Sequence, residues 1–203
     1  MTFGRVPKKL KEEVEKLLII EEVKKIITDV SEDYKSQAED KYDYWNEHIK
    51  YVYEEAIKLA DKYNADREIV GLGSLLHDIA LVKKVGDRKD HHINGEILAR
   101  EVLESFDYPD DKKERVLKCV LHHRSSRNAV NNEELCVADS DILAHFDNIP
   151  MLFDLMFNAK KMSLEEVHKE MPNYLEKDFE DLSDRAKQDF KSEYELFKKV
   201  LID

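Results

Sequence analysis

His77 and Asp78 stand side by side at the end of an apolar run, Leu75-Leu76-His77-Asp78-Ile79. Burying an imidazole or a carboxylate alone is costly, whereas a divalent cation satisfies both. Groups of the same kind lie on either side: His48 upstream, then His91-His92, His122-His123, Asp139 and Asp141 downstream. His48, His77, Asp78 and Asp141 would complete one set of four ligands. His91 with His122 or His123 could hold a second ion, and the two oxygens of Asp78 suit it to bridge both. No zinc-finger spacing and no His-Glu-x-x-His element occurs, which sets those metalloprotein classes aside.

Such ligands must be presented by several rigid elements. Leu10, Val14, Leu17, Leu18, Ile20, Val23, Ile26 and Ile27 recur at helical spacing and predict an amphipathic helix over roughly 8–29, ended by Ser31-Glu32-Asp33. A second helix, roughly 40–63, puts His48 on the stripe of Trp45, Val52, Ala56 and Leu59. A third, roughly 66–79, leads to His77-Asp78. It contains Gly71 and Gly73, whose use is close approach of a neighbouring helix.

A basic loop from Ala80 to Asp90 precedes a helix starting near His91, and Tyr108-Pro109-Asp110 marks a turn and a cap before the helix that leads to His122-His123. Another helix from about Glu133 carries Asp139 and Asp141. Ser163 and Glu166 have the spacing of a capping box in a helical tail. No useful strand-like alternation appears, so the expectation is an all-α protein.

The 203 residues suit one globular unit, with 42% hydrophobic residues for a core and only 5 Gly and 4 Pro to interrupt helices. A net charge of −12 argues against a general nucleic-acid or anionic-membrane surface, so no nucleic-acid polymer and no membrane is expected as partner. The start, Met1 to Arg5, leads into charged helix rather than a signal sequence, and Leu17-Leu18-Ile19-Ile20 is far too short to span a bilayer. Cys119 and Cys136 lack a CxxC spacing and read as buried thiols, consistent with a cytoplasmic protein.

The order His48, His77-Asp78, Asp141 resembles the HD-domain metal-dependent phosphohydrolases. Asn46-Glu47-His48-Ile49 and Leu75-Leu76-His77-Asp78-Ile79 agree in local context, and Val137-Ala138-Asp139-Ser140-Asp141-Ile142-Leu143 is similar to the family's Asp-x-Asp-x-Leu segment. In that segment the second Asp is the usual ligand, which favours Asp141 and leaves Asp139 a supporting role. The resemblance covers roughly residues 40–147. Two-metal members add histidines, and His91-x-x-x-Gly95-x-x-x-Ala99 and Val120-x-x-His123 look like those additions. His123 is favoured there, with His122 kept open.

What the resemblance implies is an HD-domain helical bundle over 40–147, extended by an N-terminal helix within 1–39 and C-terminal helices over 148–203. It further implies hydrolysis of a small phosphate ester, a nucleotide or related metabolite, by a water that divalent ions activate. The cofactor would be two ions drawn from Mn, Fe, Co, Ni, Zn or Mg. The metal ligands would be His48, His77, Asp78, His91, His123 and Asp141, with Asp78 the catalytic residue. Lys83, Arg124 and Arg127 are the candidates to hold the phosphate, and Lys84 and Arg88 also flank the ligand segments. His145, one turn past Asp141, reads more readily as a satisfied histidine than as a ligand's partner. A non-catalytic nucleotide-binding module and a di-iron oxygenase are the competing functions, and a homodimer is compatible with the helical extensions.

Overall fold

In the computed structural model, residues 8–201 are described; Met1 to Arg5, read above against a leader, lie outside them. Every regular element among the described residues is helical. Helix α1 spans Lys8–Gln37, two turns beyond the expected end at Ser31-Glu32-Asp33. The reason is local. Ile19, Val23, Ile27 and Ser31 form one stripe at a spacing of four, all buried. The Ser31 hydroxyl donates to the Ile27 carbonyl at 2.7 Å, so a polar residue continues the buried face at no loss, while Glu32 and Asp33 face solvent.

Helix α2 (Lys50–Tyr63) is entered through a widened π-helical turn, Trp45–Ile49, which carries His48. It begins later than expected because Asp40 and Asp43 act as capping groups, accepting from the backbone N–H of Tyr42 and Asn46. Helix α3 (Arg67–Leu76) is capped by Asp66, and all of Glu68 to Leu76 is buried. The helix expected over 66–79 is interrupted at His77-Asp78, and a single turn, α4 (Ile79–Val82), follows. The pair therefore sits at a break between two helices: His77 keeps helical dihedrals, and Asp78, at φ −104° and ψ 14°, leaves them.

Helices α5 (His91–Glu104) and α6 (Asp110–His122) pack on one another, and α7 (Asn132–Asp147) lies against α2 in the broadest helix contact of the fold. Asn131 caps α7 by accepting from the N–H groups of Glu133 and Glu134. The central α3 touches α1, α2, α6 and α7. A Cβ added to Gly73 would lie 2.7 Å from Cys119 Cβ on α6, so the close approach expected of the two glycines is real at Gly73. At Gly71 the neighbours, Ile57 and Tyr53, stand at an ordinary 3.4 Å. Cys119 and Cys136 are free and buried; burial raises both thiols, that of Cys136 to about 12, which keeps them unreactive.

The tail comprises α8 (Ile149–Asp154), a π-helical turn at Leu155–Ala159, α9 (Leu164–Asp181) and α10 (Asp184–Leu201). Both halves of the Ser163–Glu166 capping box are made. Tail aromatics close on the core: Phe146 meets Phe190 edge-on at 4.9 Å, and Phe179 stacks on Tyr194 at 3.9 Å. Asp139, fully buried, accepts from the Ser183 N–H at 2.8 Å and hydroxyl at 2.6 Å. Its supporting role is thus to fasten the α9–α10 junction to α7. No helix of the described residues is long and apolar enough to cross a membrane.

Candidate metal centre

Four helices and one helix break deliver the site. His48 comes from the π-turn before α2, His77 and Asp78 from the end of α3, His91 from the first residue of α5, His123 from the end of α6, and Asp141 from the middle of α7. His48 Nε2 lies 3.2 Å from His77 Nε2 and 3.0 Å from Asp141 Oδ1. His77 Nε2 is 3.6 Å from Asp141 Oδ1 and 3.6 Å from Asp78 Oδ2, which is 3.7 Å from His48 Nε2. Two atoms bound to one ion at about 2.1 Å are about 3.0–3.4 Å apart in regular geometries, so these separations fit a common ion.

The second cluster uses the other oxygen of the same carboxylate. Asp78 Oδ1 lies 3.3 Å from His91 Nε2 and 3.8 Å from His123 Nε2, and the two imidazole nitrogens are 2.9 Å apart. All six expected ligands therefore converge. Of the adjacent pair, His123 faces the cluster, whereas His122 Nδ1 turns away to Glu134 at 2.7 Å.

The orientation of the rings follows a shared local device. His77, His91 and His123 each place Nδ1 on the carbonyl three residues earlier, those of Ser74, Arg88 and Val120, at 2.7, 2.7 and 2.6 Å. That bond fixes the proton on Nδ1 and leaves the Nε2 lone pair aimed at the centre. His48 differs: its Nδ1 is buried without a hydrogen-bond partner, and its ring stacks on His145.

Burial and mutual charge act on the ionisation of the cluster. Burial lowers His48, against the pull of Asp141, and burial with the neighbouring His77 pushes His123 down to about 4. Burial opposes ionisation of the two carboxylates, but the surrounding imidazoles prevail. They hold Asp78 below its ordinary value, and Asp141, with the His48 hydrogen bond, well below. Imidazole nitrogens and carboxylate oxygens together form a donor set suited to a borderline or hard divalent ion, and the residues fit such a group.

The cations expected to hold phosphate are less concentrated. Lys83 is exposed at the end of α4. Arg124 donates to the Lys89 carbonyl at 2.7 Å, and Arg127 pairs with Asp181 at 3.4 Å on the tail. Arg88, whose carbonyl holds His91, exerts its charge on Tyr42, Tyr44 and Tyr174. Burial raises all three tyrosines, and the charge of Asp78 acts on Tyr42 and Tyr44, that of Asp141 on Tyr174. Sequence reasoning gave no place to these tyrosines. The Tyr42-x-Tyr44 repeat just before His48 was the available signal.

His145 and Asp178 were also missed as a pair. His145 Nδ1 lies 2.7 Å from Asp178 Oδ2 on α9. Burial opposes a charged ring, but the Asp178 carboxylate outweighs it and holds His145 above its ordinary value.

Residues 45–145 match the HD-domain family. Among curated proteins, the chain is 29% identical over 153 residues to a tRNA (cytidine(56)-2'-O)-methyltransferase of Picrophilus torridus. It is 30% identical over 156 residues to the protein of the same name from Thermoplasma volcanium. Each alignment takes in 70% of this chain but only 39% or 40% of the relative, so the chain spans about two fifths of the length of these curated relatives. Among solved structures, an HD-superfamily hydrolase from Bacillus thuringiensis superposes with a TM-score of 0.67 at 19% identity, covering 91% of this chain and 93% of that one. The matched segment begins at the π-turn that carries His48 and ends just after Asp141, enclosing every ligand of the centre, and the chain belongs to the HD-domain family.

Proposed function

We propose that this protein is a metal-dependent hydrolase of a small phosphate ester, a nucleotide or related phosphorylated metabolite, working with two divalent ions. The observation that carries this reading is Asp78. One of its oxygens faces His48 and His77, the other His91 and His123, as a carboxylate shared by two ions does. When bound, such ions supply an activated water and neutralise charge on the phosphoryl oxygens. The chain's own residues do the rest. Asp78 sets the two positions relative to each other, and the carbonyls behind His77, His91 and His123 keep their rings from turning. Arg88 brings positive charge to the tyrosine-lined side of a molecule whose net charge is −12. Lys83, Arg124 and Arg127 extend that positive supply to the larger parts of a substrate. Two buried free thiols suit a cytoplasmic setting.

The test is elemental analysis of purified protein beside a panel of phosphomonoesters, phosphodiesters and dinucleoside polyphosphates. Mn, Co, Fe, Ni and Mg are supplied in turn, with Asp78→Ala as control. About two equivalents of metal per chain and turnover of at least one ester, both lost in the variant, are expected. Metal-loaded protein that turns over none of them would sink the proposal. Iron with oxygen uptake on an organic substrate would move the assignment to an oxygenase.

The two methyltransferase relatives favour a second reading, in which the HD unit serves a tRNA-modifying assembly rather than free metabolites. Its mark would be binding of tRNA, or of a separate methyltransferase, with Asp78→Ala leaving that binding intact.

A further inference from the structure

The C-terminal helices bring to the metal centre a group outside its six converging ligands. His145 lies one turn past Asp141 on α7, and its ring stacks on His48 with centroids 5.5 Å apart and planes inclined by 25°. Asp178 on α9 takes Nδ1 at 2.7 Å, and both side chains are mostly buried, 19% and 15% exposed. Nε2 is therefore the nitrogen left to meet a ligand, and it makes no hydrogen bond within the described residues. Tyr174, one turn before Asp178 on the same face of α9, closes over the ring with centroids 6.0 Å apart.

The spacing separates His145 from the ligands themselves. One of its nitrogens lies within 4.8 Å of ligand atoms of both His48 and Asp141. It does not close to the 4.0 Å of an ion pair with Asp141, whereas His48 and His77 stand 3.0–3.7 Å from each other and from Asp78 and Asp141. An oxygen held about 2.8 Å from His145 and packed about 3 Å from Asp141 spans the difference. The ring thus stands one atom further out than a ligand, at the distance of a group that touches what an ion binds. With Nδ1 donating to the Asp178 carboxylate, Nε2 donates from the imidazolium form, which that carboxylate stabilises at 2.7 Å, and its bond to an oxyanion is then charge-assisted.

We propose that His145 donates a hydrogen bond from Nε2 to a phosphoryl oxygen bound at the metal centre, and that Asp178 is its positioning residue. The inference rests on the phosphate-ester reading above and gives α9, outside the segment that matches the HD family, a part in the chemistry.

The experiment uses full-length protein loaded with manganese, wild type beside His145→Gln and Asp178→Asn. Metal per chain, melting temperature and affinity for inorganic phosphate by calorimetry are read together. Expected are unchanged metal content in all three, phosphate affinity weaker by about tenfold in His145→Gln, and a smaller loss in Asp178→Asn. On a turned-over ester, Asp178→Asn lowers kcat more than it raises KM, which a merely structural contact would not do. Unchanged phosphate affinity in folded His145→Gln overturns the proposal. So does loss of metal in that variant, which would make His145 a ligand, and so does a metal-loaded wild type that binds no phosphate. Phosphate binding that depends on His145 without turnover of any ester upholds the contact while the hydrolase reading fails.

Discussion

The two halves of the metal centre are built from unequal material. His48, His77 and Asp141 come from the π-turn that enters α2, the end of α3 and the middle of α7, and those three helices pack on one another through fully buried side chains. On the other side, His123 is equally buried, but His91 opens α5 directly after the exposed stretch Lys83 to Lys89 and is steadied by the carbonyl of Arg88 within it. Local opening costs least where few apolar contacts are broken. In the two-ion reading, the His48–His77–Asp141 side would share the stability of the core, and the other side would be weakest at His91.

The sharpest way to break that comparison is to remove one imidazole from each side. His77→Ala empties a fully buried position beneath both sites and is expected to abolish metal retention and cost about 3 kcal/mol in urea unfolding. His91→Ala is expected to lose about one equivalent of metal while unfolding stability stays within about 0.5 kcal/mol. Elemental analysis decides it: loss of both ions in His91→Ala would show the halves to be inseparable.

A smaller effect sharpens the account of the first half. Asp139→Ala leaves the Ser183 N–H and hydroxyl without their acceptor at the junction that pins the tail to α7. The expected loss is about 2 kcal/mol in urea unfolding, with the metal content of the folded protein unchanged.

The smallest concerns the entry to α2. Burial alone would raise Asp43, but its bonds from Asn46 and the Lys35 ammonium at 2.9 Å hold it below the ordinary carboxylate value. A depressed folded pKa gives stability that is full above about pH 4 and is lost as pH falls through the folded value. Asp43→Asn is expected to cost about 1 kcal/mol at pH 7. The gap in melting temperature should close as both proteins are taken below pH 3 or so; a gap that persists in acid would show that Asp43 acts by packing.

The residues that converge could be picked out in the sequence because each lies on, or at the end of, an element with a regular apolar stripe. His77-Asp78 and Asp139-x-Asp141 even keep their partners adjacent. Helix interiors were legible for the same reason, and ends were not. Ser31 looks like a breaker until its hydroxyl is seen bonded to Ile27, and Asp43 looks helical until it is seen capping. What stayed hidden were pairings between distant segments. Asp139 meets Ser183 across 44 residues and His145 meets Asp178 across 33, and neither partner carries a local pattern that names the other. Nothing in the loop of Arg127 announces its ion pair with Asp181.

Gly73 precedes His77 by one turn of α3, and Cys119 precedes His123 by one turn of α6. Where those helices touch, bare backbone meets a cysteine, and even a methyl group at Gly73 would have to push them apart. The rings of His77 and His123, one in each cluster, stand 5.1 Å apart at the ends of the same two helices. In the two-ion reading, the distance between the ions would be gauged by a residue that contributes no atoms to either of them. On the proposed reading, a relative that gripped a larger oxyanion there would first have to change this glycine.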